Sequence, residues 1–261
     1  DLLYDLDIVL VETSEIMIKR QKERLSAITS VKIRWSTLNE LSFNPLVGVI
    51  LAHEILDALP VERLIWSDNA LWRQGVSLLK DKDSSPYLSF EKLPLTSSLN
   101  SSLVEARRTI GLQIPPHDVP EGWTTEWHEL QSNWLKQAYM ALDAGPLLII
   151  DYFLDSKSYY SPSRKDGTLL AYRNQIASSD ILNEPGLSDL TSHLCFQTLS
   201  YHALQKGWNI LGSVRQGQAL LALGLAERLH SIQNMPMSKL SLALSKREEL
   251  LRLVDPVGLG D

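Results

Sequence analysis

The sequence predicts an α/β fold built on a parallel sheet with helices on both faces. Segments rich in β-branched and apolar residues alternate along the chain with segments whose apolar residues recur at helical spacing. Several strand-like segments, such as "VGVILA" and "PLLII", are nearly continuous apolar runs, which is typical of strands that are buried on both faces. Strands that alternate with helices in this way favour a parallel sheet.

The predicted elements follow in order along the first half of the chain. β-Branched and apolar runs predict strands over residues 6–14, 31–38 and 46–52, and an apolar stripe at helical spacing predicts a helix over 14–28. Short alternating runs from Leu64 to Leu93, separated by turn residues, predict hairpins. Helices are predicted over 96–112 and over 125–145, where Gly145 closes the second. We interpret residues 64–145 as an insertion.

The second half continues the alternation. "PLLIIDYF" (146–153) predicts a buried strand that ends in an acid, and "TLLAYR" predicts another strand. Residues 188–207 predict a helix, and "WNILGSV" (208–214) predicts the last strand of the sheet. The rest of the chain has helical spacing. We therefore divide the chain into a main domain over 1–225 and a helical tail over 226–261.

Composition and charge exclude several classes of protein. The 261 residues are 44% hydrophobic and 21% charged, and the formal net charge of −6 offers no basic surface for nucleic acid. The longest apolar runs are far shorter than the ~20 residues of a membrane span, and a signal-peptide pattern is absent. The single Cys195 excludes an internal disulfide and favours a packed, small hydrophobic residue. We expect a soluble protein of a bacterial-type cytoplasm or an organellar matrix, not a secreted one.

Polar and ionisable residues stand directly after several predicted strands. Ligands of open α/β sheets bind outside the carboxyl ends of the strands, so these positions are candidates for a binding site. They are Glu12, His53, Glu54, Asp57, Asp151 and Tyr152. Glu12 could accept hydrogen bonds from two ribose hydroxyls of a nucleotide-type cofactor, or it could cap the helix that begins near Ser14.

The segment "HEILD" carries three ionisable side chains. It lacks the second histidine of a His-Glu-x-x-His zinc motif, and Pro60 limits any helix there, so we predict no metal site. Glu54 and Asp57 are spaced i and i+3, and one helical turn would bring them to one face. Two adjacent carboxylates repel unless a cation lies between them, and a guanidinium fits that gap. A pair of helix caps that face water remains the alternative.

Other polar residues stand in apolar surroundings further along the chain. Asp189 could cap a helix that starts near Leu190, and His193 could be a hydrogen-bonded core residue or a catalytic one. Tyr172 and Thr191 are similarly placed. Spacing alone does not decide between these readings.

Five segments in order resemble the MidA-like family of S-adenosylmethionine-dependent methyltransferases, which includes the mitochondrial assembly-factor methyltransferase that modifies an arginine of a respiratory complex I subunit. They are "VILAHEILDALPV", "LLIIDYF", "GTLLAYR", "EPGLSDLTSHLCF" and "RQGQALLALG". The resemblance extends from Ile8 to about Leu223 and is loose in the hairpins and in the last forty or so residues.

The resemblance implies a class I methyltransferase fold, which is a Rossmann-like sheet with a reversed final strand, and S-adenosyl-L-methionine as cofactor. It implies a protein substrate, such as a respiratory complex subunit with an arginine acceptor. The sequence itself leaves a homo-oligomer open. The implied site residues fall into two groups. The catalytic group is Glu54 and Asp57 with His53 and His193, and the cofactor-binding group is Glu12, Thr13, Ser14, Ala52, Asp151 and Tyr152.

Three departures from the family pattern matter. His53 stands where the family usually has Asn, and Phe153 stands where it has Gly. The family's first strand and glycine-rich loop would lie upstream of Ile8, where only seven residues precede it. We expect either a fragment of a full enzyme or a degenerate member. A non-catalytic assembly or scaffold protein that keeps the fold is therefore the alternative function, and a methyltransferase of small molecules is a third.

Overall fold

The computed structural model describes residues 6–80 and 86–255, and most of the segment "KDKDSSP" (80–86), for which the sequence predicts a solvated loop, lies outside them. The strands are β1 (Asp7–Val11), β2 (Lys32–Ser36), β3 (Leu46–Val47), β4 (Ile50–His53), β5 (Glu62–Ser67), β6 (Ala70–Leu79), β7 (Tyr87–Leu93), β8 (Thr124–Trp127), β9 (Leu142–Ala144), β10 (Leu147–Ile150), β11 (Phe153–Leu154), β12 (Leu170–Arg173), β13 (Ile176–Ser178), β14 (Asp189–Thr191) and β15 (Leu194–Cys195). The helices are α1 (Glu15–Leu25), α2 (Leu38–Leu41), α3 (Ser97–Ile110), α4 (Glu129–Met140), α5 (Ser156–Tyr159), α6 (Phe196–Gln205), α7 (Gln216–Ala222), α8 (Leu225–Gln233) and α9 (Leu240–Arg252).

Parallel strand pairs form the α/β part of the molecule. β1 pairs with β2, β4 with β10, β3 with β9, and β11 with β15, all in parallel. The parallel arrangement predicted for the apolar runs is therefore confirmed. Within the described residues β1 pairs only with β2 and β4 only with β10, so each of these strands has one edge without a partner.

The β1–β2 and β4–β10 pairs pack on one common core. Val9 of β1, Ile50 of β4 and Leu147 of β10 all contact a buried cluster, which consists of Leu38, Leu41, Ala138 and Ala141. The cross-strand partners Leu51 and Leu148 are instead 63% and 51% exposed. Alternate residues of a strand point to opposite faces, so helices cover one face of the β4–β10 ladder and the described residues leave the other open. The expected cover on both faces is not found in this part of the chain.

The hairpins predicted from Leu64 to Leu93 are confirmed and belong to an antiparallel sheet with the order β7-β6-β5-β8. Asp68 and Asn69 have left-handed φ angles of 53° and 58°, as a type I′ turn between β5 and β6 requires. The sheet packs on α3 through a core of large apolar residues, which are Leu64, Leu99, Leu103, Trp123 and Trp127.

Two predicted helices were partly wrong. The predicted helix over 125–145 is β8 followed by α4 and β9, and α4 ends at the cap residue Ala141 rather than at Gly145. β8 is buried along its whole length and pairs with β5, so tertiary contacts override the local helical spacing. The predicted helix over 188–207 is β14, β15 and α6. Asp189 therefore lies in a strand opposite Tyr172 and caps no helix.

The predicted last strand over 208–214 is also wrong, because these residues have no regular structure. A reversed final strand is accordingly absent from the described residues. The sequence pattern also missed the short helices α2 and α5, each of which has only four residues. Such short segments do not complete a helical repeat that periodicity can detect.

The chain divides into two compact units, Asp1–Asn209 and Ile210–Asp261. The second unit contains α7, α8 and α9 with a short 3₁₀ helix, Met237–Lys239, which agrees with the helical character predicted for the tail. The assignment of residues 1–225 to the methyltransferase domain stays a prediction. Among the described residues, no helix combines the length and apolarity that a membrane crossing requires.

We expect Gly145→Ala to destabilise the first unit more than Gly122→Ala does. Both glycines have positive φ, at 133° and 79°. A Cβ at Gly145 would lie 1.8 Å from the Gly48 carbonyl oxygen, whereas a Cβ at Gly122 meets nothing within 4 Å. Gly122→Ala should cost about 1–2 kcal/mol of unfolding free energy from backbone strain, and Gly145→Ala should cost at least ~3 kcal/mol. Urea unfolding of both variants measures this, and equal costs would contradict the close approach.

Candidate active site

The turn after β4 forms the centre of the candidate site. β4 and β10 end side by side, with His53 opposite Ile150, and the Glu54 N–H continues the ladder by donating to the Ile150 carbonyl at 2.9 Å. Glu54 has a left-handed φ of 48°, and the side chain of Leu56 is fully buried. The helical turn predicted for this segment is wrong. A tight, irregular turn brings Glu54 and Asp57 together instead.

Asp151, at the end of β10, holds this turn through hydrogen bonds to backbone groups. Its Oδ2 accepts the N–H groups of Leu56 and Asp57 at 3.1 and 3.3 Å. Its Oδ1 accepts the N–H of Tyr152 at 2.9 Å. A carboxylate with several backbone donors is well placed to fix a loop. Asp151 therefore organises the turn that carries Asp57, and its predicted role in cofactor binding stays a prediction.

The site concentrates negative charge. Burial is the largest cause that raises the pKa of Asp57 from 3.8 to about 6, and repulsion from Asp151 and Glu54 adds to it. Burial also raises the pKa of Asp151. Asp57 is only 4% exposed, and its Oδ1 has no hydrogen-bond partner among the described residues. The alternative of helix caps that face water therefore does not hold for Asp57. A cationic ligand would relieve the repulsion and supply the missing donor.

Two aromatic side chains adjoin the carboxylates. The Tyr152 hydroxyl donates to Glu54 Oε1 at 2.8 Å, which is the main reason why the pKa of Tyr152 rises to about 12. The Tyr152 ring stacks on the His193 ring, with centroids 6.0 Å apart and planes 18° from parallel. Burial lowers the pKa of His193, and its Nδ1 is buried without a partner among the described residues. His193 thus belongs to the site rather than to an isolated core position.

The segment around His193 is tied to the turn. The Ser192 N–H donates to the Asp57 carbonyl at 3.0 Å, and the Leu194 N–H donates to the Tyr152 carbonyl at 2.8 Å. Tyr172 on β12 is near enough to contribute to the raised pKa of Tyr152. The motif residues around 172 and 193, which spacing alone could not interpret, therefore contribute to the surroundings of the carboxylates.

Glu12 forms a second, separate group at the end of β1. Its Oε1 accepts the N–H groups of Thr13 and Ser14 at 2.8 and 2.9 Å, and among the described residues its Oε2 accepts only Gln21 Nε2 at 3.4 Å. Ser14 caps α1 by accepting the Met17 N–H at 3.4 Å. Glu12 therefore makes the backbone contacts expected of a residue before a helix, and its second oxygen keeps capacity for a ligand hydroxyl.

The structure brings together only part of the predicted site. Glu54, Asp57, Asp151, Tyr152 and His193 adjoin one another, whereas no hydrogen bond or ion pair among the described residues joins them to Glu12, Thr13 or Ser14. The His53 side chain is exposed at the end of β4, and Ala52 is packed in the core. Within the described part of the chain, no group of three or more His, Cys, Asp or Glu side chains could hold a metal ion.

Sequence reasoning missed one buried acid behind the site. Glu126 of β8 is fully buried and accepts hydrogen bonds from both the N–H and the hydroxyl of Thr168 at 2.9 Å. The sequence places Glu126 between two tryptophans, Trp123 and Trp127, and an acid that is buried beside such residues demands donors. The helical reading of residues 125–145 concealed it.

Comparison with known proteins shows the family. The family described as "Putative S-adenosyl-L-methionine-dependent methyltransferase" matches residues 1–214. The chain belongs to this family. Membership confirms the resemblance at the level of S-adenosylmethionine-dependent methyltransferases, and the closer MidA-like assignment stays a prediction. No curated protein matches the chain.

Two solved structures from Burkholderia thailandensis are similar to this family member. One is a "likely methyl transferase" bound to S-adenosyl-homocysteine; it has 26% identity and a TM-score of 0.80, over 98% of this chain and 62% of that one. The other is a native crystal structure of an uncharacterized protein, with 25% identity and a TM-score of 0.80, over 98% of this chain and 64% of that one. The chain thus has a methyltransferase-type α/β fold and spans less than two thirds of the proteins it matches.

We expect Asp57→Asn to stabilise the protein at pH 8. The folded state raises the pKa of Asp57 from 3.8 to about 6, so ionised Asp57 costs stability above about pH 6, and this cost disappears below about pH 4. Removal of the charge should add about 1–3 kcal/mol to the unfolding free energy at pH 8 and nothing comparable at pH 4. Urea unfolding at both pH values tests this. Asp143→Asn, at an exposed position of β9, is the control for loss of a negative charge. A loss of stability on Asp57→Asn at pH 8 would rule out the unfavourable burial.

Proposed function

We propose that the full protein transfers the methyl group of S-adenosyl-L-methionine to a cationic nitrogen group, an arginine guanidinium of a protein substrate. The observation that carries the proposal is the convergence of Glu54, Asp57 and Asp151 on one turn, where Asp57 is buried and its Oδ1 lacks a partner among the described residues. Family membership supports the methyl-transfer chemistry. The protein partner, such as a respiratory complex subunit, rests on the resemblance alone.

The carboxylates would orient the acceptor. A guanidinium is planar, stays protonated at neutral pH and bonds carboxylates in a bidentate manner. Glu54 and Asp57 would hold its N–H groups, so that one nitrogen faces the methyl donor, and they would stabilise the positive charge in the transition state. Asp151 keeps the turn in place, and Tyr152 fixes Glu54 through its hydroxyl. The bound cofactor supplies an electrophilic sulfonium methyl group for in-line displacement.

Glu12 is the proposed contact to the cofactor ribose. Thr13 and Ser14 hold Glu12 Oε1 through their N–H groups, which leaves Oε2 as the acceptor for a ribose hydroxyl. Gln21 contacts the same oxygen at 3.4 Å, and its own Oε1 accepts the indole N–H of Trp35 at 2.8 Å. This chain of contacts gives the carboxylate a defined orientation, as recognition of a nucleotide-type cofactor requires.

A further parallel strand is part of the proposal. β1 and β4 each have one edge without a partner among the described residues, although both strands pack on the same core. Unpaired edges in a parallel sheet accept another strand. We propose that a strand of the full protein lies between them and carries the glycine-rich loop of the family. The solved relatives are longer than this chain, which agrees with such an addition.

We expect the full-length protein to bind S-adenosylhomocysteine and Glu12→Ala to weaken that binding. Loss of a charged acceptor for ribose hydroxyls should raise Kd by about ten- to a hundred-fold. Isothermal titration calorimetry measures it, on the residues 1–261 chain and on the full-length protein. Glu15→Ala, at an exposed glutamate in the first turn of α1, is the matched control and should bind as the wild type does.

The titration also distinguishes the methyltransferase from the non-catalytic scaffold protein. Binding by the full-length protein but not by residues 1–261 would support the additional strand. Equal affinity in Glu12→Ala and wild type would refute the ribose contact. Absence of binding by both forms would contradict the methyltransferase and favour the scaffold protein that retains the fold.

We expect the double variant Glu54→Gln/Asp57→Asn to lose at least ~100-fold in methyl transfer while it keeps its affinity for S-adenosylhomocysteine, because it lacks the charges that hold the acceptor. The assay follows tritiated methyl groups from S-adenosylmethionine into the proteins of a cell extract. Acid hydrolysis and amino-acid analysis then identify the methylated residue. Label in methylarginine is the expected product.

The control has the same change in charge at exposed sites. Glu91→Gln/Asp143→Asn removes one glutamate and one aspartate charge from the surface and should transfer methyl groups normally. Undiminished transfer by Glu54→Gln/Asp57→Asn would exclude the proposed acceptor site. Label in another residue would retain the enzyme and replace arginine as the acceptor.

A further inference from the structure

Glu126 lies at the centre of a buried hydrogen-bond network that connects the antiparallel sheet to the candidate site. Its Oε2 accepts the N–H and the hydroxyl of Thr168 at 2.9 Å each and the Tyr159 hydroxyl at 3.2 Å, and its Oε1 accepts the Leu169 N–H at 3.3 Å. The side chain is completely buried. A buried carboxylate is tolerated when several donors converge on it, so this network is built around its negative charge.

The turn before β12 is shaped to fit this carboxylate. Gly167 has a φ of 72°, and a Cβ there would lie 2.1 Å from Glu126 Oε1. The absence of a side chain at Gly167 therefore lets the backbone approach close enough for the Thr168 and Leu169 N–H groups to reach Glu126. The position of Thr168 is thereby fixed by Glu126 of the antiparallel sheet.

The hydroxyl of Thr168 connects Glu126 to the candidate site. A threonine hydroxyl has one proton to donate. Glu126 Oε2, at 2.9 Å, is a nearer acceptor for it than the Tyr159 hydroxyl oxygen at 3.4 Å, and donation to Glu126 leaves the lone pairs of the Thr168 hydroxyl free to accept. The His193 N–H donates to this same oxygen at 3.1 Å. A carboxylate that accepts from a hydroxyl strengthens the acceptor character of that hydroxyl. The His193 backbone is thus held by a hydroxyl whose orientation Glu126 determines.

We infer that Glu126, acting through the Thr168 hydroxyl, is a positioning residue that holds His193 against Tyr152 in the acceptor site. The His193 ring stacks on Tyr152, and the Tyr152 hydroxyl donates to Glu54 at 2.8 Å. A shift of His193 would therefore alter the support of Glu54. His128, which follows β8, adds a second anchor through its Nε2, 3.0 Å from the Ser192 hydroxyl. The inference rests on the proposed function and extends it to residues that touch no ligand.

Thr168→Val in the full-length protein is the principal test, because it removes the bridging hydroxyl and leaves the Thr168 backbone and Glu126 in place. Thr168→Ser restores the hydroxyl. Thr198→Val is the matched control: Thr198 is also buried, and its hydroxyl donates to the Cys195 carbonyl at 2.9 Å in α6. Glu126→Gln is a fourth variant, which keeps the shape and removes the charge.

Two of the three readouts do not depend on methyl transfer. Hydrogen exchange at the His193 amide should become at least ~10-fold faster in Thr168→Val, and the nuclear Overhauser contact between the Tyr152 and His193 rings should weaken. Methyl transfer from tritiated S-adenosylmethionine to a cell extract should fall about ten-fold, with unchanged affinity for S-adenosylhomocysteine. Glu126→Gln should change the exchange rate, the ring contact and methyl transfer in the same direction. Thr168→Ser should restore all three to about the wild-type level, and Thr198→Val should leave them unchanged.

The outcomes distinguish this inference from the proposed function. If the wild-type protein transfers no methyl groups, the proposed function is wrong. The exchange rate and the ring contact would still report on the position of His193. If Thr168→Val exchanges its His193 amide at the wild-type rate and keeps the ring contact, Glu126 does not position His193. A similar fall in methyl transfer in Thr168→Val and Thr198→Val would also overturn the inference, since a general loss of stability would then explain both results.

Discussion

The Asp151 carboxylate is the group on which the rest of the candidate site depends. By accepting the N–H groups of Leu56 and Asp57 it fixes a turn that has no regular secondary structure. The same negative charge makes Asp57 harder to ionise and contributes to the rise of its pKa to about 6. The protein therefore keeps an unfavourable concentration of charge in order to hold a geometry. Such a cost in stability is common where residues are arranged for a ligand rather than for the fold.

The β4–β10 ladder and the antiparallel sheet both contribute to this site. The β4–β10 ladder ends at the turn and supplies Glu54, Asp57 and Asp151. The antiparallel sheet supplies Glu126, which reaches the site through Thr168. The insertion predicted from the hairpins is thus more than an addition to the α/β part. It contributes the buried acid that organises the turn before β12, and its core is continuous with α5 and β15 through Tyr159 and Cys195.

The elements that sequence reasoning predicted correctly are those in which one pattern dominates. β1, β4 and β10 are short apolar runs, and α3 has apolar spacing with a capping Thr96 and a C-terminal Gly111. β8 and β14 were missed because their strand pairing is with residues distant in sequence, β5 and β12. The site shows the same limit. Glu54 and Asp57 were predicted to be neighbours on a helical turn, but the structure has an irregular turn in which Glu54 adopts a left-handed φ angle.

The sequence by itself determined the α/β class, the parallel character of the apolar strands and the acids that stand at their ends, since these depend on local pattern and on where strands terminate. It also carried the motifs of the methyltransferase family. Only the tertiary structure decided that Asp151 holds the turn, that Tyr152 and His193 stack beside it, and that Glu126 supports them. These contacts join residues up to 95 positions apart, and no local spacing encodes which distant donor a buried carboxylate will meet.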